Sequence, residues 1–190
     1  MKLVVILGTY RNSKYDEIAR NSLLPWLKGK KKKENTAIIV SGGYTNPATC
    51  LLSEAEDIVK LLLEEGIPQE KLFMELGAIT TRQNIEFVLK KLAKGDFEDI
   101  VDVKKNKLKK VTFAGEAGSE KEVLWLAPKI FRKYFPDKDI SIPEFDFYRL
   151  LLLSSKERQQ KEKKLIIMKI AYYLPPVDWI LTFLRRIYVF

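Results

Sequence analysis

The chain has 190 residues, 46% of them hydrophobic, and a formal net charge of +9 at pH 7. This length suffices for one substantial hydrophobic core but is short for two, so we expect one domain with a C-terminal extension. Histidine is absent and Cys50 is the single cysteine, which excludes histidine-based catalytic triads, histidine-containing metal sites and an internal disulfide.

Five short apolar runs alternate with longer segments of helical periodicity, a pattern typical of βαβ units in a parallel sheet. The predicted strands are Leu3–Leu7, Ala37–Val40, Leu72–Glu75, Lys110–Ala114 and Asp139–Ile142. The predicted helices are Asp16–Leu27, Ser53–Glu65, a segment around Ile85–Leu92, and Val123–Tyr134. We therefore predict a three-layer, Rossmann-like α/β domain with a mainly parallel sheet of about five strands.

Several helix ends are predicted from their capping residues. Three pairs have the spacing of a capping box: Ser53 with Glu56, Thr80 with Gln83, and Ser119 with Glu122. Gly29 is predicted to end the first helix, and the lysine-rich residues 29–35 are predicted to form a solvated connection.

The C-terminal part differs in pattern from the rest of the chain. Phe145–Tyr173 is predicted to form a long, highly charged helix that Pro175 and Pro176 end. We place the domain at 1–148 and a helical extension, packed on the domain or on a partner, at 149–190. Charges and prolines interrupt every apolar stretch there before the about 20 residues that a bilayer-spanning helix needs. As an amphipathic helix, residues 177–190 would leave peripheral membrane contact open.

Four glycines follow predicted strands: Gly8, Gly42, Gly43 and Gly115. In open α/β sheets ligands bind outside the carboxyl ends of the strands, where glycine lets backbone N–H groups approach an anionic or planar group. Thr9 follows Gly8, so the dinucleotide fingerprint is missing, as is the P-loop sequence. A standard dinucleotide enzyme and a P-loop NTPase are therefore disfavoured. Two interpretations of these glycines stay open. They line a ligand pocket, or they only allow tight turns between strands and helices.

Polar residues next to these glycines are candidates for ligand binding. Ser53 is accounted for as a cap, whereas Glu54 is left to bind a hydroxyl, an amine or a divalent cation. On the next helix, Arg82 is a candidate partner for an anion and Asn84 for an amide or hydroxyl, with Thr81 beside them.

Glu75 and Glu116 each end a predicted strand, and Glu54 opens a helix at the same edge. If the three converge, their oxygens would suit a hard divalent cation or a carboxylate pair that shares a proton.

These elements together resemble the YdcF-like family, a domain of unknown function that includes the SanA and ElyC proteins. The resemblance covers about residues 3–136 and rests on Val5–Gly8, Ile39–Gly43, Ser53–Ala55, Gly66–Pro68, Glu75 and Thr81–Asn84. It implies a Rossmann-like fold with a pocket at these loops, a nucleotide-type ligand such as S-adenosylmethionine, and an association with bacterial envelope processes. Family members carry a histidine after the fourth strand, where this chain has Thr112–Ser119. That histidine's role therefore does not carry over, and Glu116 is the polar residue at this place.

We expect a cytoplasmic YdcF-like protein that binds a nucleotide-like or phosphorylated small molecule at the carboxyl edge of the sheet. Two alternatives stay open: a non-catalytic protein that binds a partner or a membrane surface through residues 177–190, and a carboxylate-dependent, metal-assisted hydrolase or transferase. The positive charge is spread over both halves of the chain, so no nucleic-acid partner is expected.

Overall fold

The computed structural model describes residues 2–8, 19–31, 36–44, 52–97 and 108–151, with Lys163 and Ile166. The predictions for Thr9 and for the tail 177–190 lie outside these residues. Packing divides the chain into two compact units, Met1–Leu152 and Leu153–Phe190. In the part of the chain that is described, no helix is long and apolar enough to cross a membrane.

Five parallel strands form one sheet in the order β3-β2-β1-β4-β5. The strands are β1 (Lys2–Leu7), β2 (Thr36–Ser41), β3 (Leu72–Glu75), β4 (Lys110–Glu116) and β5 (Glu144–Leu151). The described α-helices are α1 (Leu24–Lys31), α2 (Glu54–Glu64), α3 (Thr81–Lys94) and α4 (Glu120–Tyr134). A π-helical turn, Ala19–Leu23, leads into α1, and short 3-10 turns cover Gln69–Lys71 and Ala117–Ser119. The predicted three-layer, Rossmann-like α/β fold is confirmed.

The strand order places the helices on both faces of the sheet. From β1 the chain moves outward through β2 to β3, then crosses back to β4 and continues to β5. Since parallel crossovers are right-handed, the reversal moves α3 and α4 to the face opposite α1 and α2. A core cluster that includes Val4, Ile38 and Leu62 fills the α1–α2 side. Neighbouring residues such as Val5, also buried, point to the other face.

The same reversal creates a topological switch point between β1 and β4. These strands are neighbours, but the chain leaves β1 toward β2 and leaves β4 toward β5. In folds of this kind the connections that leave two such strands diverge, which leaves a crevice at the carboxyl ends of the strands. In doubly wound α/β folds this crevice is where ligands bind.

The fifth strand differs from its prediction. Residues 139–142 form no strand, Ile142 is 43% exposed, and β5 begins after Pro143 at Glu144. Phe145 lies 6.3 Å from the ring of Phe113 and 6.0 Å from that of Phe131. The predicted helix from Phe145 is therefore wrong over residues 145–151, because alternating aromatic side chains favour a strand there.

The starts of two helices have the capping hydrogen bonds that their sequences predict. The Ser53 and Glu56 capping box is present in full at the start of α2. Thr80 Oγ1 accepts the Gln83 N–H at 3.1 Å, as predicted for α3, whereas the Gln83 side chain accepts from Ile79.

Two predicted helix caps differ from the structure. Ser119 directly precedes α4, as predicted, but it has helical dihedrals within the 3-10 turn and makes no side-chain cap, because a capping side chain needs an extended backbone. Gly29 lies inside α1, which continues to Lys31. The buried Leu24 and Leu27 hold α1 against the core, and this packing outweighs the local preference of glycine for a helix end. Residues 29–31 are thus helical rather than a connection.

Candidate functional site

The glycines after β2 are joined by backbone hydrogen bonds to two neighbouring segments. The Gly42 N–H donates to the Glu75 carbonyl at 2.9 Å, and the Gly43 N–H donates to the Ala78 carbonyl at 2.5 Å. The carbonyls of Gly43 and Gly42 accept from the N–H groups of Glu54 and Ala55, each at 3.1 Å. These bonds fix the start of α2 against the ends of β2 and β3.

Close backbone approach explains why Gly43 is a glycine. A Cβ at this position would lie 2.6 Å from the Leu76 carbonyl oxygen and 2.9 Å from that of Ala78. Both atoms belong to the backbone, so a side chain there would force the two segments apart. Gly43 therefore closes a tight junction.

Gly8 and Gly42 make room for Glu54. A Cβ on Gly8 would overlap Glu54 Oε2 and lie 2.9 Å from the Gly42 Cα, and one on Gly42 would lie 3.1 Å from the same oxygen. The Gly8 N–H donates to the Ser41 carbonyl at 2.5 Å. A carboxylate, Glu54, thus lies over the strand-end glycines, and both it and Gly8 are partly exposed.

We expected the backbone N–H groups of the strand-end glycines to face a ligand, but three of them do not. The N–H groups of Gly8, Gly42 and Gly43 all donate to backbone carbonyls of neighbouring segments. An anion cradle needs several such donors directed at one point. These three glycines bring strands and a carboxylate together instead.

A buried polar network lies where β2, β3 and α3 meet. Ser41, Glu75 and Asn84 are 0%, 2% and 5% exposed. The Ser41 hydroxyl lies 2.8 Å from Glu75 Oε2 and 3.0 Å from Asn84 Oδ1, and with its single proton it donates to one of these at a time. The Gly77 N–H donates to Glu75 Oε1 at 2.7 Å. Both carboxylate oxygens of Glu75 are therefore engaged inside the protein, as burial requires.

Arg82 belongs to a charged cluster between α3 and α4. Its Nε lies 3.8 Å from Glu86 Oε2, and both side chains are less than one fifth exposed. Glu86 Oε1 accepts from Lys133 Nζ at 2.6 Å and from the Tyr134 hydroxyl at 2.9 Å. Thr81, the first residue of α3, is partly exposed. The expected anion partner, Arg82, is thus paired with a carboxylate in this structure.

Burial and the neighbouring donors and charges have opposite effects on the pKa of Glu86. Burial raises the pKa of the carboxyl, but hydrogen bonds from Lys133 and Tyr134 and the charges of Lys133 and Arg82 outweigh it. The pKa therefore lies below its ordinary value, and Glu86 is ionised at neutral pH.

On the other side of the switch point, β4 ends in a bulge. Gly115 pairs with Arg149 and Glu116 with Leu151, so one residue of β5 is skipped. A Cβ at Gly115 would lie 3.3 Å from Leu7 Cδ1, and the glycine itself is buried. Glu116 is partly exposed at the bulge. Bulges at strand ends redirect side chains and occur often beside functional sites.

Glu54, Glu75 and Glu116 do not form a cation site together. Among the residues that the structure describes, no group of three or more acidic, histidine or cysteine side chains is placed to hold a metal ion. The expected convergence is wrong because Glu75 is buried against Ser41 and Gly77, while Glu54 lies against Gly8. Glu54 lies at the ends of β1 and β2, Glu116 lies at the end of β4, and both are partly exposed.

Sequence reasoning missed Ser41, the residue that joins Glu75 and Asn84. The signal was a hydroxyl residue at the end of the apolar run Ile38–Val40, where a buried polar group needs a partner. Comparisons of the chain with protein-family models, with curated proteins and with solved structures found no match. The geometry of the carboxyl edge therefore carries the functional argument.

Proposed function

We propose that this protein binds a nucleotide-like small molecule in the crevice at the carboxyl ends of β1 and β4. The observation that carries the proposal is the strand order, which puts a topological switch point between these strands. Gly8 with Glu54 on one side and Glu116 on the other are partly exposed there. Ligands of open α/β sheets bind at this place.

The chemistry of the edge favours hydroxyl and ammonium groups over phosphate. Carboxylates accept hydrogen bonds from hydroxyl and amine donors, as acidic residues do with ribose in related folds. A phosphate beside Glu54 would meet a like charge. The N–H groups of Gly8, Gly42 and Gly43 are already bonded, and Arg82 is paired with Glu86. Of the two expected ligand classes, the phosphorylated one therefore has less support.

The resemblance to the YdcF-like family supports the same ligand class. It implies a nucleotide-type ligand such as S-adenosylmethionine, which carries ribose hydroxyls and an ammonium group but no phosphate. We propose Glu54 as the acceptor for one of these donors and Glu116 as a second polar contact.

Calorimetric titration of the full chain with S-adenosylmethionine, adenosine and adenosine monophosphate tests the proposal. Loss of a charge-assisted hydrogen bond in Glu54→Gln is expected to weaken binding of the first two about tenfold or more. Glu64→Gln is the matched control, because Glu64 is exposed on the same helix, α2.

Two results would refute this assignment. One is the absence of measurable binding of all three compounds by the unmodified protein. The other is equal affinity of Glu54→Gln and Glu64→Gln for the compound that binds. Preferential binding of adenosine monophosphate over adenosine would overturn the ligand class, and the site would be kept only if Glu54→Gln weakened that binding more than Glu64→Gln.

A further inference from the structure

Two exposed, largely apolar residues lie close to Glu54, on the segments that leave β2 and enter α2. Tyr44 is 43% exposed and Leu52 is 39% exposed. Tyr44 directly follows Gly43, whose carbonyl accepts the Glu54 N–H at 3.1 Å. Leu52 lies two positions before Glu54 in the chain. Both residues are thus neighbours of the carboxylate proposed above as a ligand contact.

The aromatic ring of Tyr44 is held in place by the capping box of α2. Its hydroxyl donates to Glu56 Oε2 at 3.3 Å, and the same oxygen accepts the Ser53 N–H at 2.7 Å. The negative charge of Glu56 raises the pKa of the Tyr44 hydroxyl, so the ring is neutral at pH 7. An aromatic side chain that is ordered in advance loses little freedom when a ligand binds to it.

Leu52 has no partner for the contact that a residue at its position ordinarily makes. A hydrophobic residue directly before a helix cap packs on the fourth residue of the helix, as a hydrophobic staple. The fourth residue of α2 is Asp57, so the apolar partner of such a staple is missing. The start of α2 therefore accounts for the serine and the glutamate of its capping box but not for an exposed leucine before them.

Exposure alone does not distinguish these two residues from the rest of the surface. Leu63, near the other end of α2, is 39% exposed as well, and the exposed Lys60 and Glu64 are its neighbours on that helix. Tyr44 and Leu52 differ from it in position, because they lie beside a partly exposed carboxylate at the carboxyl edge of the sheet. Leu63 therefore serves as an internal reference.

We propose that Tyr44 and Leu52 form the subsite for the base of a nucleoside whose ribose hydroxyls bind Glu54. This inference rests on the proposed function and adds the place and the chemistry of the base. Aromatic side chains bind bases by stacking on their faces, and leucine extends the apolar contact area. The subsite uses exposed side chains only, so the buried N–H of Gly43 keeps its bond to the Ala78 carbonyl.

A nucleoside matches this arrangement because its two halves need different partners. The ribose presents hydroxyl donors, which a carboxylate accepts, and the base presents a planar aromatic face. The base is bonded directly to the ribose, so the two partners must be close neighbours, as Glu54 and Tyr44 are. A sugar without a base would use only the carboxylate. The subsite therefore predicts selection of nucleosides over simple sugars.

Titration of the full chain with adenosine and with methyl ribofuranoside, which has ribose hydroxyls but no base, tests the subsite. NMR measures both affinities, including weak ones. Tyr44→Ala should weaken adenosine binding about tenfold and leave the affinity for methyl ribofuranoside unchanged. Tyr44→Phe keeps the ring and should retain most of the adenosine affinity. Leu52→Ala should weaken adenosine binding about threefold, whereas Leu63→Ala, the matched control on α2, should bind like the unmodified chain.

A second measurement does not depend on substitutions. In the adenosine complex, nuclear Overhauser effects should connect the adenine protons with the ring protons of Tyr44. Glu54→Gln should weaken binding of both compounds, whereas Tyr44→Ala should weaken binding of adenosine alone. Circular dichroism of every variant confirms that the fold is retained.

Three results would overturn the subsite and still leave the proposed function to stand on the effect of Glu54→Gln. They are equal adenosine affinities of Tyr44→Ala and Leu63→Ala, equal losses for both compounds in Tyr44→Ala, and no nuclear Overhauser effect between adenine and Tyr44 at saturation. The second of these would make Tyr44 a structural residue. Absence of binding of both compounds by the unmodified chain would refute the proposed function, and the subsite with it.

Discussion

Two regions of the carboxyl edge use glycines and glutamates in different ways. At the ends of β2 and β3, Ser41, Glu75 and Asn84 are buried, and the Ser41 hydroxyl lies within hydrogen-bond distance of both other side chains. At the switch point between β1 and β4, Glu54 and Glu116 are partly exposed. A glycine or a carboxylate at a strand end therefore does not by itself mark a ligand site. Burial separates the junction at β2 and β3 from the partly exposed carboxylates, which a ligand can reach.

The comparison assigns stability to the first region and ligand recognition to the second. Substitutions at the β2–β3 junction should then lower the free energy of unfolding. Those at the switch point should change ligand affinity and leave stability nearly intact.

The largest expected effect is that of Gly43→Ala. The new Cβ would lie 2.6 Å from the Leu76 carbonyl oxygen, and relief of this overlap should cost about 3 kcal/mol of unfolding free energy. Urea denaturation measures the change. Gly29→Ala is the control, since a Cβ there meets no atom within 4 Å, and alanine inside α1 should stabilise by up to about 1 kcal/mol. Equal effects of the two substitutions would contradict the tight junction.

Ser41→Ala should have the next largest effect. It removes the hydroxyl that lies between Glu75 and Asn84 and leaves a buried acceptor with one bond fewer, which should cost about 2 kcal/mol. Chemical denaturation measures this cost, and calorimetry of the same variant should show ligand affinity close to that of the unmodified chain. Unchanged stability with lost affinity would place the ligand site at the β2–β3 junction.

A smaller, pH-dependent effect is expected at Glu86 on α3. Its pKa lies below the ordinary value of 4.5, so the unfolded chain takes up the proton first as the pH falls. The stabilisation is thus fully present above pH 4.5 and disappears as the pH falls through the lowered pKa. Because its partner Lys133 is 57% exposed and solvent screens the pair, Glu86→Gln should cost about 0.5 kcal/mol at neutral pH.

Denaturation of both proteins over a range of pH tests this effect. The stability difference should shrink steadily below pH 4.5. A difference that grows in acid would mean that the hydrogen bonds from Lys133 and Tyr134 do not hold the carboxylate form. Lys133→Gln should show the same trend, because it removes the shortest hydrogen bond to Glu86.

Much of the sheet could be predicted because β1 to β4 are apolar runs bounded by glycine or charge. The fifth strand could not, since Glu144–Leu151 mixes charges with aromatic residues and its pairing with β4 depends on contacts across the fold. For the candidate site, the sequence predicted which residues lie at the carboxyl edge of the sheet but not which of them contact one another. The Ser41 hydroxyl meets Glu75 and Asn84, which lie 34 and 43 positions further along the chain, a separation that no local pattern encodes.

The most direct test of the two-region comparison is NMR titration of the isotope-labelled full chain with S-adenosylmethionine and adenosine. Amide signals of Gly8, Glu54, Gly115 and Glu116 should shift in a saturable manner, while those of Gly43 and Gly77 should change little. Saturable shifts confined to Gly43, Gly77 and Asn84, or no saturable shifts at all, would contradict a ligand site at the switch point between β1 and β4.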